Sequence, residues 1–170
     1  LQPNEHYTYK MLGRTFYKLK DYERAKEHFK RALKVDKSDF KSYTYIGDIN
    51  FDQKEYKKAM YNYMYATFIG KEYRDIEYYQ LARAYEKLNK PKEEIKAYKD
   101  AYKENRSNYR ALFQIANTTE SFYKDKKIAY KFYKTYMNKF EEKDSLLTSQ
   151  AKIRLKEIKK YYFLKGEVLE

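Results

Sequence analysis

No cysteine occurs anywhere in the 170-residue chain, which excludes disulfide frameworks, thiol nucleophiles and cysteine-based zinc sites. Glycine and proline are nearly as scarce, at four and two. That leaves little turn material for an all-β sandwich and no glycine-rich loop to cradle a phosphate or a dinucleotide. No run of about 18 apolar residues is present, so no segment is suited to cross a bilayer as a helix. What the chain does have is rings and charge, 19% aromatic and 37% charged residues. So high an aromatic content argues against intrinsic disorder. The charge is lopsided, 38 Lys plus Arg against 25 Asp plus Glu, a surplus of +13. Such a balance raises the question of a nucleic-acid or acidic partner.

The chain repeats. Leu12, Ile46, Leu81 and Ile115 are separated by 34, 35 and 34 residues. Gly13, Gly47, Ala82 and Ala116 keep the same steps, as do Phe29, Tyr63, Tyr98 and Phe132, and then Ala32, Ala66, Ala101 and Thr135. An aliphatic residue, a small one, an aromatic and an alanine at a period of about 34 resembles the tetratricopeptide repeat, a helix-turn-helix unit. Counted from His6, Phe40, Asp75 and Tyr109, the small residue falls at position 8, the alanine of position 20 is met by Ala25 and Ala59, and the aromatic of position 24 by all four repeats. Glu94 and Ile128 depart from the position-20 alanine, and Thr135 from the alanine of position 27. We expect helix B of the fourth repeat to be one residue out of register, with Ala129 and Tyr133 taking the packing role.

The resemblance implies an all-α fold, a right-handed superhelical solenoid of antiparallel helix pairs with nine helices. The expected divisions are repeats at 6–39, 40–74, 75–108 and 109–143, the last divergent, and a capping helix at 144–166. Local patterns agree. Tyr9, Leu12 and Phe16 share one helical face, Asp21 is placed to cap a helix starting near Tyr22, and Pro91 falls at a helix start, where its missing N–H costs nothing. In the last helix Leu147, Ala151, Leu155, Ile158 and Tyr162 form one apolar stripe opposite Lys152, Lys156, Lys159 and Lys160, as a terminal element needs to cover the end of a repeat stack. Residues 1–5, with Leu1, Pro3 and Asn4, match the turn that would end a preceding repeat, which reads as the tail of a truncated repeat or as a leader. Leu169-Glu170 resembles a cloning remnant.

Little in the chain speaks for catalysis or cofactors. The two histidines, His6 and His28, stand alone with no second ligand at metal spacing. Acidic pairs such as Glu93-Glu94 lie at a helix start, where the dipole favours them. No enzymatic activity, cofactor or metal is expected.

In the family, positions 2, 5, 6, 9 and 12 largely face the groove lined by the first helices of each pair. That implies Tyr7, Lys10, Met11, Arg14 and Tyr17 from the first repeat, and Lys41, Thr44, Tyr45, Asp48 and Phe51 from the second. The third contributes Tyr79, Gln80, Arg83 and Glu86, the fourth Arg110, Phe113, Gln114 and Asn117. Rings interleaved with cations and amides suit an extended peptide, an acidic one if the cations are free. Tyr45 and Phe51 could instead pack against a neighbouring helix. One class within the family clamps a C-terminal carboxylate with five residues, of which only Lys10 is matched here, against Arg14, Tyr45, Ile76 and Gln80 at the others. The implied role is a non-catalytic scaffold binding a protein or peptide partner, with self-association through exposed array ends as a further possibility. The alternative is a nucleic-acid-binding helical repeat. Against it stand 30 Lys to only 8 Arg, and cations that lie three or four residues from acids, as in Glu27 with Lys30 and Arg31.

Overall fold

The structure, a computed structural model, describes residues 3–71 and 73–169. The expectations attached to Leu1 and Glu170 lie outside these residues. Among the described residues there are nine helices and no strand. They group into two compact units, Leu1–Lys90 and Pro91–Glu170.

The first unit holds α1 (Pro3–Lys18), α2 (Tyr22–Val35), α3 (Phe40–Asp52), α4 (Tyr56–Ile69) and α5 (Asp75–Lys87). Pro3 opens α1, so residues 3–5 of the segment read as the end of a preceding repeat lie in a first helical turn. Helices α1 and α2 pair, as do α3 and α4, while α2 packs on α3 and α4 on α5. Asp21 caps α2 by accepting the Arg24 amide at 3.2 Å. The turns after α1, α3 and α5 are closed by one device that the glycine-poor sequence concealed. Lys20, Lys54 and Asn89 stand 34 and 35 residues apart, each in the left-handed region, with φ of 59°, 61° and 54°. The next amide then reaches back five residues: Asp21 to Phe16, Glu55 to Asn50 and Lys90 to Tyr85, at 2.9, 2.8 and 2.9 Å. This is the Schellman closure, made without glycine.

The core of this unit centres on Ala25, Phe29, Ile46 and Ile49, with Phe16, Tyr17 and Tyr45 packed against it. Gly13 and Gly47 matter because a ring lies on each. A Cβ there would stand 2.8 Å from the Phe29 ring and 2.6 Å from the Tyr63 ring.

The second unit holds α6 (Pro91–Glu104), α7 (Tyr109–Phe122), α8 (Lys127–Phe140) and α9 (Ser145–Phe163). Consecutive helices pack in order. Asn108 and Asp144 cap α7 and α9, accepting amides at 3.0 and 3.1 Å. The turn after α7 differs from the other three, since Tyr123 is extended (φ −89°, ψ 143°) and α8 does not begin until Lys127. That late start accounts for the register. Ala129 and Tyr133 are fully buried, whereas Ile128 is exposed. Glu94, where alanine was expected, is buried and accepts the Thr118 hydroxyl at 2.6 Å. Helix α9 lays Ala151, Ile158 and Tyr162 inward. It is tied to α7 by Arg154, which forks onto Glu120 through Nε at 3.1 and 3.0 Å and through Nη2.

Candidate functional site

The face formed by α1, α3 and α5 carries two polar clasps, one joining α1 to the start of α3 and one joining α3 to α5. At the first, Asp39, immediately before α3, accepts Lys10 Nζ at 2.7 Å, His6 Nε2 at 3.0 Å and Ser42 Oγ at 2.5 Å. Burial pushes the Asp39 carboxyl upward, but hydrogen bonds from Lys10, Ser42 and His6 outweigh it and hold the group below its ordinary range. At the second, Glu77 on α5 accepts Lys41 Nζ at 2.7 Å and Thr44 Oγ1 at 3.2 Å. Its side chain is entirely buried, and its Oε2 has no hydrogen-bond partner. Lys10 and Lys41, predicted as cations for a ligand, are therefore neutralised by acids 29 and 36 residues away.

Further along, the position-9 residues of the three helices, Arg14, Asp48 and Arg83, alternate in sign. Asp48 Oδ1 accepts the Tyr63 hydroxyl at 2.8 Å and Gln80 Nε2 at 3.1 Å. Burial raises its carboxyl to about 6, against the opposing pull of those two hydrogen bonds and of the Arg83 charge. Arg83 lies 4.5 Å over the Phe51 ring and donates to Gln80 Oε1 at 2.9 Å. Arg14 is exposed and donates only to Met11 Sδ, at 3.7 Å, among the described residues. Between these cations Tyr45 stacks on Phe29 at 4.9 Å and meets Tyr17 edge-on at 5.7 Å, so both tyrosines are half-buried shelves rather than free rings. Burial also pushes the Tyr17 hydroxyl well above its usual value. Tyr7 is exposed and Tyr79 half-buried.

In the second unit, Arg110 is exposed and lies over the Tyr109 ring at 5.6 Å, Gln114 is half-buried and Asn117 exposed. Phe113 is a correction. It is 5% exposed and meets Tyr133 and Tyr136 edge-on at 5.7 and 5.5 Å, because the register of α8 brings those rings under it. It belongs to the core rather than to a groove.

Sequence reasoning missed Asp39, Glu77 and Tyr63 as members of this face. Asp39 and Glu77 stand at and just past helix starts, where an acid reads as an ordinary dipole partner. His28 lies parallel to Phe16 at 5.3 Å. Among the described residues no three His, Asp or Glu side chains are grouped to hold a metal ion, and no helix is long and apolar enough to cross a membrane.

Comparison with known proteins agrees with this architecture. The family described as tetratricopeptide repeat matches residues 6–39 and again 78–108. The crystal structure of MamA is similar at 25% identity and a TM-score of 0.74, over 84% of this chain and 82% of that one. YrrB, a repeat protein described as having an unusual peptide-binding site, is similar at 20% identity and a TM-score of 0.70, over 88% and 77%. The first repeat domain of Spaghetti (RPAP3), solved with the HSP90 peptide SRMEEVD, is similar at 17% identity and a TM-score of 0.65, over 71% and 95%.

Proposed function

Because the chain is a tetratricopeptide repeat protein, we propose that it is a non-catalytic scaffold whose α1–α3–α5 face binds an extended segment of a protein partner. The observation that carries this reading is the division of the cations on that face. Lys10 and Lys41 are bound to carboxylates, whereas Arg14 and Arg83 make no salt bridge among the described residues. Arg presents a fork that suits carboxylate better than Lys does. The half-buried rings of Tyr17 and Tyr45 lie in the same face and offer area at low entropic cost. The partner we propose carries acidic side chains spaced to meet Arg14 and Arg83, with an apolar side chain between them. Nucleic acid is the weaker reading, because the outer cations are interleaved with acids, as in Glu27 with Arg31 at 2.6 Å and Glu55 with Lys58 at 2.6 Å.

The test is selection of 12-residue peptides from a random library on the full chain, followed by titration against Arg14→Glu/Arg83→Glu. Enriched peptides should contain Asp or Glu and bind the double variant at least 10-fold more weakly. A selection in which no enriched peptide is weakened by the double variant would remove the reading.

A further inference from the structure

Helix α4 breaks a pattern that the other second helices keep. In α2 the outward positions are Glu27, Lys30, Arg31 and Lys34, and the same positions of α6 are Lys96, Lys99, Asp100 and Lys103. In α4 they are Tyr61, Met64, Tyr65 and Phe68. All four are exposed, Tyr61 by 57% and Phe68 by 83%. The opposite side of α4 buries Ala59, Met60, Tyr63 and Ala66, so the helix is apolar on both faces. A helix of that kind is normally covered on both sides, and a contiguous apolar stripe left open marks an interaction surface.

The N-terminal end of the stripe shows what would cover it. Tyr56, Tyr61 and Leu88 line an open hollow of about 510 Å³ whose rim carries Lys54, Lys57 and Lys58. Glu55 engages Lys58 at 2.6 Å, while Lys54 and Lys57 have no carboxylate partner among the described residues. Two unpaired cations beside an apolar hollow complement an acid next to a bulky apolar side chain. From Lys57 to Phe68 the helix rises about 16 Å, or three turns. A second copy of the chain would bring a molecule of net charge +13 against these lysines. A bilayer surface would have no use for the hollow.

We propose that the outer face of α4 is a second docking surface, independent of the α1–α3–α5 face, that takes an acidic amphipathic helix of a protein partner. Its apolar stripe would lie along Tyr61, Met64, Tyr65 and Phe68, and its acidic end on Lys54 and Lys57.

The test uses the full chain and two synthetic 18-residue helical peptides with the same leucine stripe, one with Glu on its polar face and one with Lys, read by fluorescence anisotropy. The acidic peptide should bind at least 10-fold more tightly than the basic one. Tyr61→Ser/Phe68→Ser should weaken it at least 10-fold, Lys54→Glu/Lys57→Glu several-fold, and Arg14→Glu/Arg83→Glu should leave it unchanged. Because these stripe side chains are exposed, the variants should keep the parental helical circular dichroism. The proposal is overturned if the acidic peptide fails to bind at millimolar concentration or binds the stripe variant equally well. It is equally overturned if the stripe instead drives pelleting with 3:1 phosphatidylcholine–phosphatidylglycerol vesicles, or dimerisation in sedimentation velocity. Loss of binding in Arg14→Glu/Arg83→Glu alone would assign the peptide to the other face and overturn this proposal without touching that one.

Discussion

Replacing Gly47 by alanine should destabilise the protein even though it improves the intrinsic helix propensity of α3. Removing a helical glycine is worth about 1 kcal/mol in its favour. The added methyl would stand 2.6 and 2.7 Å from two carbons of the Tyr63 ring, against an ordinary carbon contact of about 3.5–4.0 Å. The ring has nowhere easy to go. It is fully buried, and its hydroxyl is tied to Asp48 at 2.8 Å. Overpacking of this kind costs about 1–3 kcal/mol, and a strained or lost Tyr63–Asp48 bond adds about 1. The net is a loss of about 1–3 kcal/mol, which in a chain of this size lowers the thermal midpoint by about 2–12 °C. The assay is helical ellipticity against temperature and against urea. A second arm sharpens it: in a Tyr63→Leu background, which removes the ring edge, Gly47→Ala should turn from destabilising to neutral or stabilising. If Gly47→Ala raised the midpoint of the parent protein, the account of this close approach would be wrong.

Two further perturbations follow from the polar face. Burial raises the Asp48 carboxyl to about 6, above about 3.9 in an unfolded chain, so its contribution to stability is complete below pH 4 and is lost as pH rises through 6. Asp48→Asn, which keeps an acceptor for Tyr63 and Gln80, should therefore be more stable than the parent at pH 7 by about 1–3 kcal/mol, with the gap closing by pH 4; a gap independent of pH in urea titrations would refute this. Lys41→Met leaves the buried Glu77 carboxylate with only Thr44 and should cost about 2–4 kcal/mol, the low side for a broken buried pair because the Lys41 side chain is 40% exposed. Adding Glu77→Gln should recover most of that loss in urea unfolding, and a double variant no more stable than the single one would show that the pair is not what holds α3 to α5.

Much of the architecture was legible because it is written in short spacings. The 34- and 35-residue ladders set the helix pairs, and Asp21, Asn108 and Asp144 cap helices from three residues away. Even the slip in the fourth repeat was readable, since Ala129 and Tyr133 supply the right side chains one position late. The outer stripe of α4 was also present in the ladder, as Tyr61, Met64, Tyr65 and Phe68 aligned with the charged positions of α2. Comparing surface positions as well as core ones would have exposed it.

What the sequence by itself determined, then, is the repeat, the helices and most of the core, because a 3.6-residue period and a cap act within a turn or two of the chain. Only the tertiary structure decided which of the predicted groove residues are paired or buried. Lys10 and Lys41 look like ligand cations until packing sets Asp39 and Glu77 against them, and Phe113 looks like a groove ring until the delayed start of α8 brings Tyr133 and Tyr136 beneath it. Electrostatic pairing and burial depend on which helices come within a few ångströms of one another, and residues 29 to 36 positions apart meet only after the hairpins have stacked.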